Sequence, residues 1–136
     1  MTKTVDHVAV AVEDLGEAVR LFEKILGRTV SRRESVAAHG VETATFELGE
    51  TAIEFVQGTD ENSPVRRFVG KRGPGIHHVA IAVDDLDAAM EDLKGKGFLF
   101  VDDVPRPGKD GSRVAFLHPR STGKILCELV EPARKK

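Results

Sequence analysis

Two stretches of this chain hold a histidine in the same setting, VDHVAVAVEDLGEA at residues 5–18 and IHHVAIAVDDLDAA at residues 76–89. At an offset of 71 residues, eight positions are identical: His7/His78, Val8/Val79, Ala9/Ala80, Ala11/Ala82, Val12/Val83, Asp14/Asp85, Leu15/Leu86 and Ala18/Ala89. A second match follows at an offset of 74, IEFVQ at 53–57 against CELVE at 127–131, and it aligns Glu54 with Glu128. Each repeat thus supplies one imidazole and one carboxylate. Two of each suit a divalent first-row metal that keeps open positions for water or substrate oxygens. The set is too rich in oxygen for a structural zinc site. A lone histidine on a strand is ordinarily a core residue; recurrence of both residue types at matched positions makes His7, Glu54, His78 and Glu128 the candidate metal ligands.

The elements that must position them follow from periodicity. Residues 5–12 and 76–83 alternate with period two, so His7, Ala9 and Ala11 share one face and Val8, Val10 and Val12 the other. The second repeat sets His78, Ala80 and Ala82 against Val79, Ile81 and Val83. The branched residues are expected to pack on a helix, and the alanines to leave open volume in front of each histidine. His77 falls on the face opposite His78 and reads as structural or as a support to the ligands, and His39 and His118 read as structural or surface residues. Asp14 and Asp85 are N-cap residues for helices over about 15–26 and 86–95. Gly27 stops the first of these.

Three strands follow in each repeat, about 28–35, 40–48 and 51–57, then about 98–103, 112–117 and 125–131. Gly49-Glu50 reads as a two-residue hairpin turn, which pairs Thr45 with Glu54 and Glu47 with Ala52. Thr43, Thr45, Glu47 and Glu54 then share one polar face. The last strand is apolar on both sides, so Glu128 is expected to be buried and to need a cation or a proton. The fold class is α+β: two tandem βαβββ modules, about 4–58 and 76–132, joined by a linker over 59–75 with a short helix near 63–70. A module of about 70 residues has little core of its own, so one domain over 1–136 is expected.

Composition narrows the function classes. The chain has 136 residues, 40% hydrophobic and 31% charged, the profile of a soluble globular protein. Twenty basic residues against 22 acidic give a formal charge of −2, so no nucleic-acid partner is expected. No apolar run is long enough to span a bilayer, so no membrane partner is expected, and MTKTVDHV does not read as a signal peptide. One cysteine excludes an internal disulfide and a cysteine-based zinc site, and points to a reducing, cytoplasmic setting.

The motifs VDHVAVAVEDL, GPGIHHVAIAVDDLDAAMEDLKGKG and VPRPGKDGSRVAFLHPRSTGKILCELVE, with LGETAIEFVQ and SPVRRFV between them, carry a further reading. Over nearly its whole length the chain resembles the vicinal oxygen chelate (glyoxalase-like) superfamily and, within it, the methylmalonyl-CoA epimerase family. The resemblance implies a cleft around a metal held at His7, Glu54, His78 and Glu128. It implies cobalt by family likeness, with zinc, nickel, manganese or magnesium as alternatives. The implied substrate is an acyl-CoA and the implied assembly a homodimer. The implied reaction interconverts (R)- and (S)-methylmalonyl-CoA by α-proton exchange through a metal-stabilised enolate.

Epimerisation needs proton exchange on both faces of a planar carbon, hence two acid–base groups. The resemblance implies Glu128 as one. Some bacterial members carry a glutamate three residues after the glycine of a Gly-Val pair; that position is Thr43 here, and threonine is no base at neutral pH. Glu47, on the face of Glu54, is the candidate second base, with a metal-bound water or a strand shift presenting Glu42 as alternatives. The phosphates of CoA call for a basic rim, for which Lys71, Arg72, Arg106, Lys109, Arg113, Arg120 and Lys124 are available. Two rival readings stay open. Glyoxalase I, a lactoylglutathione lyase, is compatible with the same four ligands. A metal-free small-molecule-binding protein of this fold has no need of both histidines and both glutamates.

Overall fold

Alternation and capping signals translate into two units, one spanning His7–His77 and the other His78–Lys136 with the residues up to Asp6. The structure, a computed structural model, describes residues 3–133; residues 1–2 and 134–136 of the expected domain lie outside the described residues.

In the first repeat, β1 (Thr4–Ala11) leads into α1 (Leu15–Leu26), then β2 (Arg32–Val36), β3 (Val41–Leu48) and β4 (Thr51–Gly58), and a further helix α2 (Pro64–Arg72). The strand order is β2-β3-β4-β1, with β1 parallel to β4 and the other pairs antiparallel. Asp14 caps α1 as expected, its Oδ1 accepting from the Glu17 N–H at 3.0 Å, and Gly27 closes the helix in the left-handed region with φ 66°. The edge strand starts at Arg32 rather than near 28. The chain leaving α1 is held back, because Glu23 accepts from the Arg28 N–H through its carbonyl and from the Val30 N–H through Oε2.

Val10 and Val12 pack on α1 with Leu15, Val19, Phe22, Phe46 and Phe55, the arrangement that period two requires. The other face departs from expectation. Ala9 and Ala11 do not front an open volume; both are fully buried in a cluster with Val41, Val56 and, from α2, Val65 and Val69. Small side chains on a strand let a helix approach closely, and α2 uses that space. Its first turn sits so near the end of β4 that a Cβ on Gly58 would lie 2.7 Å from the Arg66 backbone nitrogen.

The second repeat runs β5 (Gly75–Ala82), α3 (Leu86–Gly95), β6 (Arg106–Pro107), β7 (Arg113–Phe116) and β8 (Cys127–Glu131), in the order β5-β8-β7-β6 with β5 parallel to β8. Asp85 caps α3, accepting from the Ala88 N–H at 3.0 Å. Ile81 and Val83 meet Leu86, Met90, Leu93, Ala115 and Leu129 in its core. The strand expected over 98–103 is not regular. Only Phe100 bridges to Leu117, and the edge passes to Arg106–Pro107. Asp102, Asp103 and two prolines, which lack an N–H, do not support a longer ladder. β8 starts at Cys127 rather than 125 because a turn occupies the preceding residues, with the Lys124 N–H donating to the Pro119 carbonyl at 2.8 Å.

A device common to both repeats ties these elements together. The Leu15 N–H, at the start of α1, donates to Gln57 Oε1 at 2.8 Å, and the Leu86 N–H, at the start of α3, donates to Glu131 Oε1 at 2.9 Å. Gln57 and Glu131 are matched positions at the 74-residue offset. In each repeat the last strand therefore satisfies an orphan donor of the helix. None of the described helices is long and apolar enough to cross a membrane.

Gly58→Ala is expected to destabilise the protein by about 1–3 kcal/mol through overpacking against α2, read as a lower urea midpoint. Gly70→Ala, whose Cβ would meet nothing within 4 Å, is expected to raise the midpoint by the equivalent of about 0.5–1 kcal/mol through helix propensity.

Candidate functional site

The two parallel strand pairs share one register. Ala9 lies beside Glu54 in β1/β4, and Ala80 lies beside Glu128 in β5/β8. Each histidine precedes its alanine by two residues and so shares its face. The imidazole and the carboxylate therefore stand one diagonal step apart on strands about 4.8 Å apart. The different offsets of first and last strands, 71 and 74 residues, yield the same local geometry twice.

In the second unit His78 Nε2 lies 3.8 Å from Glu128 Oε1, with the two side chains 12% and 11% exposed. Phe116, directly across from Glu128, sets its ring edge-on to His78 at 5.6 Å between centroids. In the first unit His7 and Glu54, both half-buried, each present a ligand atom within 4.8 Å of the other. Metal–ligand bonds of about 2.1 Å place donors about 3 to 4 Å apart around one ion. The His78–Glu128 pair fits that spacing and the His7–Glu54 pair lies within 4.8 Å, and a carboxylate as buried as Glu128 is costly without a cation or a donor beside it. The donor chemistry, nitrogen with oxygen and no sulfur, fits a divalent first-row metal. The expectation that Glu128 is buried holds, at 9% exposure.

The remaining histidines are structural. Burial lowers the pKa of His77, whose ring meets Phe68 at 5.0 Å. His118 Nδ1 accepts from the Arg120 N–H at 3.1 Å and caps a short turn. His39 ends the turn Ala37–His39. Burial, and then the charge of Glu128, push the Cys127 thiol up.

The hairpin register matches the expectation at each pair from Leu48–Thr51 to Thr45–Glu54. Glu47 is exposed at the end of β3. It faces Ala52, which itself neighbours His7, so Glu47, Ala52 and His7 form one row across three strands. Its backbone is held on both sides: Arg28 Nη1 donates to its carbonyl at 2.7 Å, and its N–H donates to Ser31 Oγ at 2.9 Å. Thr43 and Thr45 are each 4% exposed. Glu42 pairs with Gln57, whose side chain serves α1. That register holds Glu42 on the helix side, and the strand shift that would present it with Glu54 does not occur.

Three of the cations proposed for a basic rim are engaged within their own units. Arg72 stacks over Phe68 at 5.6 Å. Arg106 Nε pairs with Asp102 Oδ2 at 3.0 Å. Arg113 pairs with Asp87 at 3.0 Å and Glu131 at 3.4 Å, and the hydrogen bond to Asp87 leads in raising its pKa. The helix-capping roles of Gln57 and Glu131 escaped the sequence reading, although their matched positions were a usable signal.

The model of the Glyoxalase/Bleomycin resistance protein/Dioxygenase superfamily matches residues 6–116. The mitochondrial methylmalonyl-CoA epimerase of Homo sapiens is 38% identical over 125 residues, covering 91% of this chain and 71% of that protein. The ethylmalonyl-CoA/methylmalonyl-CoA epimerase of Cereibacter sphaeroides is 35% identical over 131 residues, covering 95% and 98%. Among solved structures, a variant of the Streptomyces coelicolor methylmalonyl-CoA epimerase in complex with 2-nitronate-propionyl-CoA superposes with a TM-score of 0.89 at 32% identity, covering 98% of this chain and 96% of that one.

A raised, half-buried thiol reacts slowly. Cys127 in the native protein at pH 8 is expected to react with a disulfide reagent at least about tenfold more slowly than in urea, as followed by thiolate release.

Proposed function

The chain belongs to the glyoxalase/bleomycin resistance protein/dioxygenase superfamily and, within it, to the methylmalonyl-CoA epimerase family, and from that premise we propose that it interconverts (R)- and (S)-methylmalonyl-CoA. The observation that carries the proposal is the doubled imidazole–carboxylate pair in matched register. In this reading His7, Glu54, His78 and Glu128 hold one divalent metal, and the two repeats act as one domain over 1–136. Within the first unit, His7 and Glu54 each offer a ligand atom to such an ion. Cobalt is the preferred ion by family likeness, and the donor set also accepts zinc, nickel, manganese or magnesium.

When bound, the ion supplies positive charge beside the thioester oxygen as the α-carbon gives up its proton. The protein's own groups move that proton. Glu128, buried beside an imidazole, takes it on one face of the carbon, where little water competes. Glu47, exposed at its strand end, exchanges with solvent and serves the other face. A homodimer in the cytoplasm completes the reading; the free Cys127 suits a reducing compartment.

With cobalt and one enantiomer of methylmalonyl-CoA in deuterated water, the expected result is racemisation with deuterium at the α-carbon. A chelator is expected to stop it and added metal to restore it. Absence of exchange, with lactoylglutathione formed from the glutathione hemithioacetal, would select the glyoxalase reading instead. Glu128→Gln is expected to lower kcat by about 10²–10⁴. Glu47→Gln is expected to keep proton exchange from one enantiomer while losing interconversion; unimpaired interconversion in that variant removes Glu47 from the mechanism. Sedimentation velocity tests the dimer.

A further inference from the structure

Thr45 stands in the middle of the polar face of the first unit, between Arg32 on β2 and Glu54 on β4. It is 4% exposed, and its Oγ1 is buried without a hydrogen-bond partner among the described residues. Buried hydroxyls nearly always have a partner, so this one is unusual. Its backbone carbonyl is already taken, accepting from the Ser31 N–H at 2.9 Å. Of its two cross-strand neighbours, a guanidinium has no acceptor. The carboxylate of Glu54 does accept, and directly opposed residues bring their Cβ atoms within about 5 Å. A carboxylate that gives one oxygen to a metal is held in place by a donor to its remaining lone pairs.

We propose that, with the metal bound, the Thr45 hydroxyl turns to donate to the Glu54 carboxylate and fixes the oxygen that Glu54 gives to the metal, which makes Thr45 a positioning residue. This rests on the metal reading given above. The other repeat supplies a contrast. The place opposite Glu128 that corresponds to Thr45 is held by Phe116, which offers no donor and packs on His78 instead. Glu54 thus has a hydroxyl across from it and Glu128 an aromatic ring.

The test is cobalt binding to the metal-stripped full-length protein by titration calorimetry, with kcat and KM measured alongside. Thr45→Val, which keeps the shape and removes the hydroxyl, is expected to weaken cobalt binding about 10- to 100-fold. Thr45→Ser is expected to stay within about threefold of the unaltered protein. In a Glu54→Gln background, Thr45→Val is expected to add little, because the hydroxyl acts through that carboxylate. Thr45→Ala serves if the valine variant does not fold, with the same expected loss. Unchanged affinity in Thr45→Val overturns the proposal and leaves the metal reading standing. Equal losses in the valine and serine variants, or a full additional loss in the Glu54→Gln background, also overturn it, because either outcome marks a packing effect. If the unaltered protein binds no metal, the metal reading falls and this inference with it.

Discussion

An imidazole and a carboxylate one diagonal step apart on neighbouring parallel strands form the arrangement on which the rest of this protein depends. Side-chain direction in a strand reverses at every residue, so a one-residue slip would turn the histidine or the glutamate to the opposite face. The register is held well beyond the pairs themselves. The Val12 N–H donates to the Val56 carbonyl at 2.9 Å, and the Val83 N–H to the Val130 carbonyl at 2.8 Å. Gln57 and Glu131 then reach from the last strand of each repeat to the first helical N–H, which ties the helix to the last strand. A buried carboxylate is costly without a cation nearby, and a rigid frame keeps its intended partner in reach.

The repeats share this plan and have diverged around it. In the first, α2 closes over Ala9 and Ala11. In the second, Arg113 joins Asp87 to Glu131 and so binds α3 to the last two strands. The outer surfaces differ as well. α1 leaves Leu21 and Ile25 exposed, where α3 has Asp92 and Lys96 in an ion pair at 3.0 Å. The residues opposite the two glutamates follow the same pattern, a threonine in one repeat and a phenylalanine in the other. Duplication produced a symmetric donor set, and later substitution gave each half its own surroundings.

Much of this was legible in the residues. Asp14 and Gly27 delimit α1 and Asp85 starts α3 because capping is local chemistry, settled by a side-chain oxygen or a left-handed glycine within a few residues. Gly49-Glu50 dictates the pairing of β3 with β4 because a two-residue turn leaves only one register. The four candidate ligands stand out because a repeat serves as its own control, separating positions that must recur from those that drift. The irregular stretch near 98–107 was less legible, since a proline-interrupted edge alternates much as a strand does.

By itself, then, the sequence determined the two modules, the faces of their strands and the identity of the donors, all of which follow from periods and offsets along the chain. Tertiary structure alone decided that α2 fills the space in front of Ala9 and Ala11, that Glu42 stays on the helix side, and that Thr45 keeps a buried hydroxyl across from Glu54. These depend on which surfaces meet across the fold and how closely they pack, and local periodicity records which way a side chain points but not what it will meet.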